Sequence, residues 1–280
     1  MKWTIAFDAG CDIRDIPTVE GVDLVLVPLK ILLGDGEVTD DGSVPMAELQ
    51  RQLDGAAGKT GTACPSVGDW HHIMEDSDRL IAITLSGAVS GSYQSACIAR
   101  DMVLEEQPGK ALWVMDSVSG SGTMEFLVRK AVEGIQSGLS FNAVCDSLRR
   151  SRSEAEIFFL LQNVDNLMSN GRLNPLLGRA VKALKMCMLG TVSPEGTMEV
   201  IGKVRGFDKL MDKCLDTCAA RGCTAPRAAI ISHCLNPQGA EQLKAKLEAR
   251  FPGVAVEIRE TGLICGYYAE KGGLIVALQR

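Results

Sequence analysis

The sequence predicts an α/β protein of two domains. The first, residues 1–152, is a βαβ domain with a largely parallel sheet. The second, residues 153–280, is a mixed α/β domain with an antiparallel hairpin. Three observations predict this. Short apolar, β-branched runs alternate with helix-length amphipathic stretches through the first half, the pattern of βαβ units. After about Ser151 the turn Pro194-Glu195-Gly196 joins two strand-like runs. A chain of 280 residues is too long for one minimal core and suits two.

Lys2–Phe7 (KWTIAF) reads as the first strand, with Leu24–Pro28, Leu80–Leu85 and Ala111–Met115 as further strands. All are continuous apolar runs, as expected of strands covered on both faces. Helices are expected at Pro45–Leu53 with Ser43 as its cap, at Asp69–Met74 after Ser66, at Ser92–Glu106 and at Ser121–Ser137. Ser140–Arg149 closes the first domain, with Arg149, Arg150 and Arg152 at its end. In the second domain Glu156–Leu161 reads as a strand, and Val164–Ser169 and Leu176–Lys185 as helices. Met188–Ser193 and Thr197–Val204 form the hairpin, where Gly196 supplies a positive φ at little cost. Phe207–Arg221 is a helix stopped by Gly222, and Pro237–Arg250 is another. Ala228–Ser232, Val254–Arg259 and Leu274–Leu278 are the remaining strands. No repeat or low-complexity linker separates the domains. They should pack closely, with a site in the cleft near the carboxyl ends of the first-domain strands.

Composition narrows the function. With 29 Lys+Arg against 35 Asp+Glu the net charge is −6, and no basic block marks a nucleic-acid partner. No apolar run reaches the roughly 18–20 residues of a membrane span, so no integral membrane association is expected. Met1 to Asp8 has no apolar signal-peptide region, and the expected location is cytoplasmic. Ten cysteines without a CxxC pair fit small buried hydrophobes in a reducing compartment. The Cys214, Cys218, Cys223 spacing matches neither a zinc finger nor a ferredoxin, and no metal is expected.

Three segments could carry chemistry. Ser86-Gly87-Ala88-Val89-Ser90-Gly91-Ser92 follows a strand and opens a helix. It is either a plain Ser-capped helix or an anion pocket of hydroxyls and free N–H groups. Lys59 to Ser66 repeats the pattern, and Ser117 to Gly122 does so again at a strand end. Three such ends in one sheet would line one rim and bind a small anion through neutral donors. Neither a P-loop lysine nor a GxSxG elbow is present. His71-His72 reads as a solvated helix start, and His233 as a cleft, core or capping residue. Asp8 reads as a turn cap, and the Asn170-Gly171-Arg172 turn as an exposed arginine, idle or a partner contact.

On these residues the chain resembles the DegV family of fatty-acid-binding proteins, from end to end. Thr62 to Ser66 resembles the family's Thr-Ser-Gln-Pro-Ser stretch, and Val89-Ser90-Gly91-Ser92-Tyr93 its Leu-Ser-Gly-Thr-Tyr loop. Asp116-Ser117, Asn170-Gly171-Arg172-Leu173 and Lys203-Val204-Arg205 resemble its Asp-Ser, Gly-Gly-Arg-Ile and Lys-x-Arg pieces. The resemblance implies a non-catalytic protein that encloses one long-chain fatty acid between its domains and presents it to a fatty acid kinase. It implies no cofactor beyond that ligand. The carboxylate would rest on Thr62 and Ser90, beside Ala63, with backbone help from Gly91 and Ser92. Arg172 and Arg205 would face the kinase or the phosphate being transferred.

This chain departs from the pattern at several positions. Ala63 and Cys64 replace the family's Ser and Gln. Tyr268 stands in the place of a His near the end, and Glu270 where a Gly is expected. A phenol donates one hydrogen bond and carries no positive charge. Burying a ~16-carbon tail is worth roughly 0.8 kcal/mol per CH2, on the order of 10 kcal/mol before ordering costs. The head group then needs only a few donors. Two other readings stand beside this one. The first is a serine-centred acyl hydrolase or transferase using Ser90 with Asp8 or His233. The second is a binder of another small anionic ligand.

Overall fold

The computed structural model describes residues 2–34 and 36–280. In the first half the strands are β1 (Trp3–Asp8), β2 (Val22–Val27), β3 (Lys30–Leu33), β4 (Gly36–Thr39), β5 (Thr60–Ala63), β6 (Arg79–Thr84) and β7 (Ala111–Asp116). The helices there are α1 (Met46–Gly55), α2 (Val67–Glu75), α3 (Ser92–Glu106), α4 (Gly122–Gln136) and α5 (Phe141–Ser151). The second half contains strands β8 (Ala155–Leu161), β9 (Cys187–Val192), β10 (Met198–Val204), β11 (Ala228–His233), β12 (Ala255–Glu260) and β13 (Leu274–Gln279). Its helices are α6 (Asp165–Ser169), α7 (Pro175–Ala183), α8 (Phe207–Ala220), α9 (Pro237–Arg250) and α10 (Leu263–Ala269).

The first sheet has the order β2-β1-β6-β7, all parallel. Its central strands are mostly apolar because helices cover both faces. On one side Ile5, Phe7, Ile81 and Ile83 pack against α4 and α5; on the other Ala6, Leu80 and Ala82 pack against α2 and α3. The large sheet has the order β10-β9-β8-β13-β11-β12. Only β11 and β12 pair in parallel; the hairpin β9–β10 and the pairs through β8 and β13 are antiparallel. A third, antiparallel sheet, β4-β3-β5, was not expected from the sequence. The segment read as a Thr62 turn is a strand, with Thr62 opposite Ile31. Thus two of the three hydroxyl-rich segments leave the parallel sheet and the third comes from this small sheet. Ser43 does not cap α1: its N–H is held by Asp41, and Pro45 occupies the cap position without a side-chain bond.

One apolar core crosses between the halves. Leu29, Ile31 and Leu49 from the first half pack with Ile157, Leu161, Leu167, Ile264 and Ile275 from the second. Helix α10, also unforeseen, lies in this core with its residues buried almost all round. Its start is pinned by buried carboxylates of the first half. Asp12 accepts the Gly262 N–H at 2.9 Å, and Asp40 accepts the Ile264 N–H at 2.9 Å. Asp40 in turn pairs with Arg14 at 2.8 Å. The hairpin tip also crosses the divide, where Ser86 Oγ donates to the Gly196 carbonyl at 2.8 Å. At Gly196 φ is +89°, and a Cβ there would collide with that Oγ.

Candidate functional site

The shared core is not solid. It encloses a cavity of about 350 Å³, within the range of small-molecule sites. Much of its wall is apolar: Leu29, Phe159, Leu161, Leu167, Val192, Met198, Ile264 and Ile275. Its polar residues come from short segments. Thr62 and Ala63 end β5 and Cys64 follows it; Ser86, Val89, Ser90 and Gly91 belong to the loop into α3; Ser119, Gly120 and Ser121 lead into α4. Arg172 and Tyr268 complete this part of the wall. Among the described lining residues Arg172 alone carries a formal charge at neutral pH, and no His, Asp or Glu is present.

Contacts draw the polar residues together. The Tyr268 hydroxyl lies 2.8 Å from Thr62 Oγ1. Burial raises the Tyr268 phenol pKa, against the opposing pull of that bond and of the Arg172 charge. The Arg172 guanidinium sits 5.9 Å from the Tyr268 ring centroid and donates to the Val89 carbonyl at 3.3 Å. Ser90 Oγ accepts the Ser92 N–H at 3.3 Å, and its own hydrogen has no protein acceptor among the described residues. The polar groups that can meet a ligand are therefore hydroxyls, the N-terminal end of the 15-residue α3 and one cation. That is a receptor for an anion attached to an apolar body.

Beneath the Ser86–Gly91 loop lies Asp8, fully buried. It accepts the Gly10 N–H at 3.0 Å, the Leu85 N–H at 2.9 Å and the Ser92 hydroxyl. Both ends of the loop are thus tied to one carboxylate. Burial pushes its pKa up to about 6, against these hydrogen bonds and the Arg14 charge.

Of the residues singled out in the sequence, Thr62, Ala63, Ser90, Gly91 and Tyr268 share the cavity wall. Ser92 does not: its hydroxyl is buried and spent on Asp8, and only its backbone N–H reaches Ser90. Arg172 is not an outward-facing residue. The turn curls back, the side chain is half-buried, and it also donates to the Asn170 carbonyl, so it lines the cavity. Arg205 is exposed. It follows the far end of β10, roughly 20 Å along the strand from Met198 at about 3.3 Å per residue. His71, His72 and His233 are absent from the wall. Burial pulls the pKa of His233 down, and its Nδ1 accepts the Asn236 N–H at 3.4 Å. Tyr267, beside Tyr268 in the sequence, stands behind the wall: its hydroxyl joins Thr60 Oγ1 at 2.8 Å and accepts from Asn170 Nδ2 at 3.0 Å. The apolar wall left no local signal, being drawn from both halves of the chain.

Comparison with known proteins agrees with this architecture. The profile of the DegV family, described as an uncharacterised protein family, matches residues 2–279. A DegV domain-containing protein of Streptococcus pneumoniae is 33% identical over 280 residues, covering 100% of this chain and 99% of the relative. The crystal structure of the Streptococcus pneumoniae Fatty Acid Kinase (Fak) B3 protein, loaded with linoleic acid, superposes with a TM-score of 0.94 at 32% identity, covering 100% and 99% of the two chains. A DegV family protein from Eubacterium eligens, loaded with heptadecanoic acid, superposes with a TM-score of 0.91 at 29% identity, covering 99% of each. A family profile that spans the chain, a relative matched over its full length and a shared fold around an internal cavity lead to one assignment: the chain belongs to the DegV family.

Proposed function

We propose that this protein binds one long-chain fatty acid, with its carboxylate among the hydroxyls of Thr62, Ser90 and Tyr268 and its tail along the apolar wall. The observation that carries the reading is the cavity itself: an apolar enclosure whose only charged lining residue, among the described residues, is a cation beside a cluster of hydroxyls. The linoleic and heptadecanoic acids in the two similar structures support it. In this reading the backbone of Ala63 and Gly91 completes the head-group contacts, and Arg172 closes the mouth. The protein is a non-catalytic carrier in a reducing cytoplasm, and a fatty acid kinase is its partner, with Arg205 on the partner-facing surface. Serine-centred hydrolysis is disfavoured because no base adjoins Ser90 among the described residues: Asp8 is engaged with Ser92, and His233 lies off the wall.

Mass spectrometry of an organic extract of the purified protein tests the reading. One intact fatty acid per chain is expected. An extract empty of fatty acid, from a protein that also takes up none when offered heptadecanoic acid, refutes it.

A further inference from the structure

Glu270 ends α10 with φ +54° and ψ 165°, a backbone region that only glycine occupies without strain. A residue with a side chain persists there when the surrounding structure over-determines it. Here the side chain supplies the reason. The first helical turn of α6 has no cap of its own, because Val164 at that position has no polar side chain. The Glu270 carboxylate fills the role from 104 residues away, accepting the Asn166 N–H at 2.9 Å. Burial raises the pKa of this carboxyl, against the pull of the Asn166 N–H bond.

The capped helix then reaches back. Asn166 Nδ2 donates to the Tyr267 carbonyl at 2.8 Å, and Asn170 Nδ2 to the Tyr267 hydroxyl at 3.0 Å. Two residues after Asn170 comes Arg172, which lies over the Tyr268 ring. The C-terminal end of α10, bearing Tyr268, and the α6 segment leading to Arg172 are therefore tied together, and both contribute to the cavity wall.

We propose that Glu270 is a positioning residue that locks α10 to α6, so that Tyr268 and Arg172 are held as a single rigid jaw and the bound fatty acid is retained. The proposal rests on the fatty-acid reading above. It also predicts a separation between stability and retention. Replacement by glycine relieves the backbone strain but removes the cap, whereas alanine removes the cap and keeps the strain.

The test uses the full chain loaded with heptadecanoic acid and chased with excess linoleic acid, with the retained odd-chain acid followed by mass spectrometry. Glu270→Gly and Glu270→Ala should each release it about ten-fold faster, as expected for loss of a hydrogen bond to a charged group. Glu270→Gln, which keeps an acceptor oxygen but exchanges a charged bond for a neutral one, should release it faster than the parent and more slowly than Glu270→Ala. Glu270→Gly should also melt above Glu270→Ala. A structural defect alone would instead make release follow melting temperature. Amide hydrogen exchange on the unloaded variants gives an independent reading: Asn166 and Leu167 should lose protection in the Gly and Ala variants and keep it in Gln. If the parent protein takes up no fatty acid, the functional reading fails and the exchange data alone decide the lock. Parent-like release and parent-like exchange in Glu270→Gly would overturn the proposal.

Discussion

Removing the two hydroxyls proposed to hold the head group, singly and together, gives a prediction with a definite rank order. Thr62→Val keeps the shape of the side chain, and Ser90→Ala removes one atom. In the ligand-free protein Thr62 is already bonded to Tyr268 at 2.8 Å, whereas the Ser90 hydrogen has no protein acceptor among the described residues. A neutral hydrogen bond contributes about 0.5–1.5 kcal/mol net, and one to a charged group about 1.5–3 kcal/mol. Taking Thr62 as the donor in that pair, an entering carboxylate makes it exchange the first kind for the second, so the affinity reports only the difference, about 1–1.5 kcal/mol. Ser90 gives up no such bond and contributes the full charged value. Thr62→Val should therefore weaken fatty-acid binding by roughly ten-fold, and Ser90→Ala by about ten-fold to a hundred-fold.

The double variant should cost less than the two combined, because both hydroxyls serve one head group. Displacement of a fluorescent fatty acid measures the affinities. A melting curve beside each titration checks folding; Thr62→Val alone should lose stability, through its unpaired Tyr268 partner. Unchanged affinity in a folded double variant would refute the head-group assignment. Thr62→Val weakening binding more than Ser90→Ala would refute the exchange argument.

Three further outcomes are expected. Arg172→Ala should weaken fatty-acid binding by about ten-fold, since the structure turns this cation onto the cavity wall; parent-like affinity would restore the outward-facing role read from the sequence. Asp8, with a folded pKa of about 6 against an ordinary 3.8, contributes stability that is present below about pH 4 and lost as pH rises through about 6. The difference corresponds to about 3 kcal/mol, so urea melts of Asp8→Asn should lack that much of the parent's fall in stability between pH 4 and 6, and an unchanged slope would place the titration elsewhere. Cys64 is exposed at the cavity wall, whereas Cys97 and Cys187 are half-buried and the other seven cysteines are buried. It should react first with a thiol reagent, more slowly once heptadecanoic acid is bound, with ten thiols in the denatured chain; a fast phase surviving in Cys64→Ser would contradict this.

How much could be read in advance depended on how local the cause was. β1, β6 and β7 were legible because strands covered on both faces need unbroken apolar runs. Helices α3 and α9 were legible to the residue, because a serine-glycine turn opens one and Asn-Pro the other. β3 was not: Lys30–Leu33 is four residues with two exposed, and its order comes from pairing with β4 and β5. Thr60-Gly61-Thr62-Ala63 reads as a turn by composition and becomes a strand only because Ile31 and its neighbours lie opposite. Helix α10 is too short and too uniformly apolar to show a periodic pattern. Within the site the hydroxyl residues announced themselves by type, but the direction of Arg172 did not. It is set by the Val89 carbonyl, 83 residues away, and by the Tyr268 ring.

The division of labour in the cavity follows from the same physics. Apolar burial supplies most of the affinity but is non-directional, so it cannot distinguish a fatty acid from another amphiphile of equal length. Discrimination must come from the few polar atoms, and these are placed by long-range contacts. Asp8 ties both ends of the Ser90 loop, Asp12 and Asp40 fix the start of α10, and Glu270 joins its end to α6. Each of these carboxylates lies off the cavity wall. In the proposed reading a carboxylate on the wall would repel the anion that the hydroxyls and Arg172 receive; behind the wall it can hold the backbone in place. The acidic residues thus serve recognition of an acid by standing behind its site.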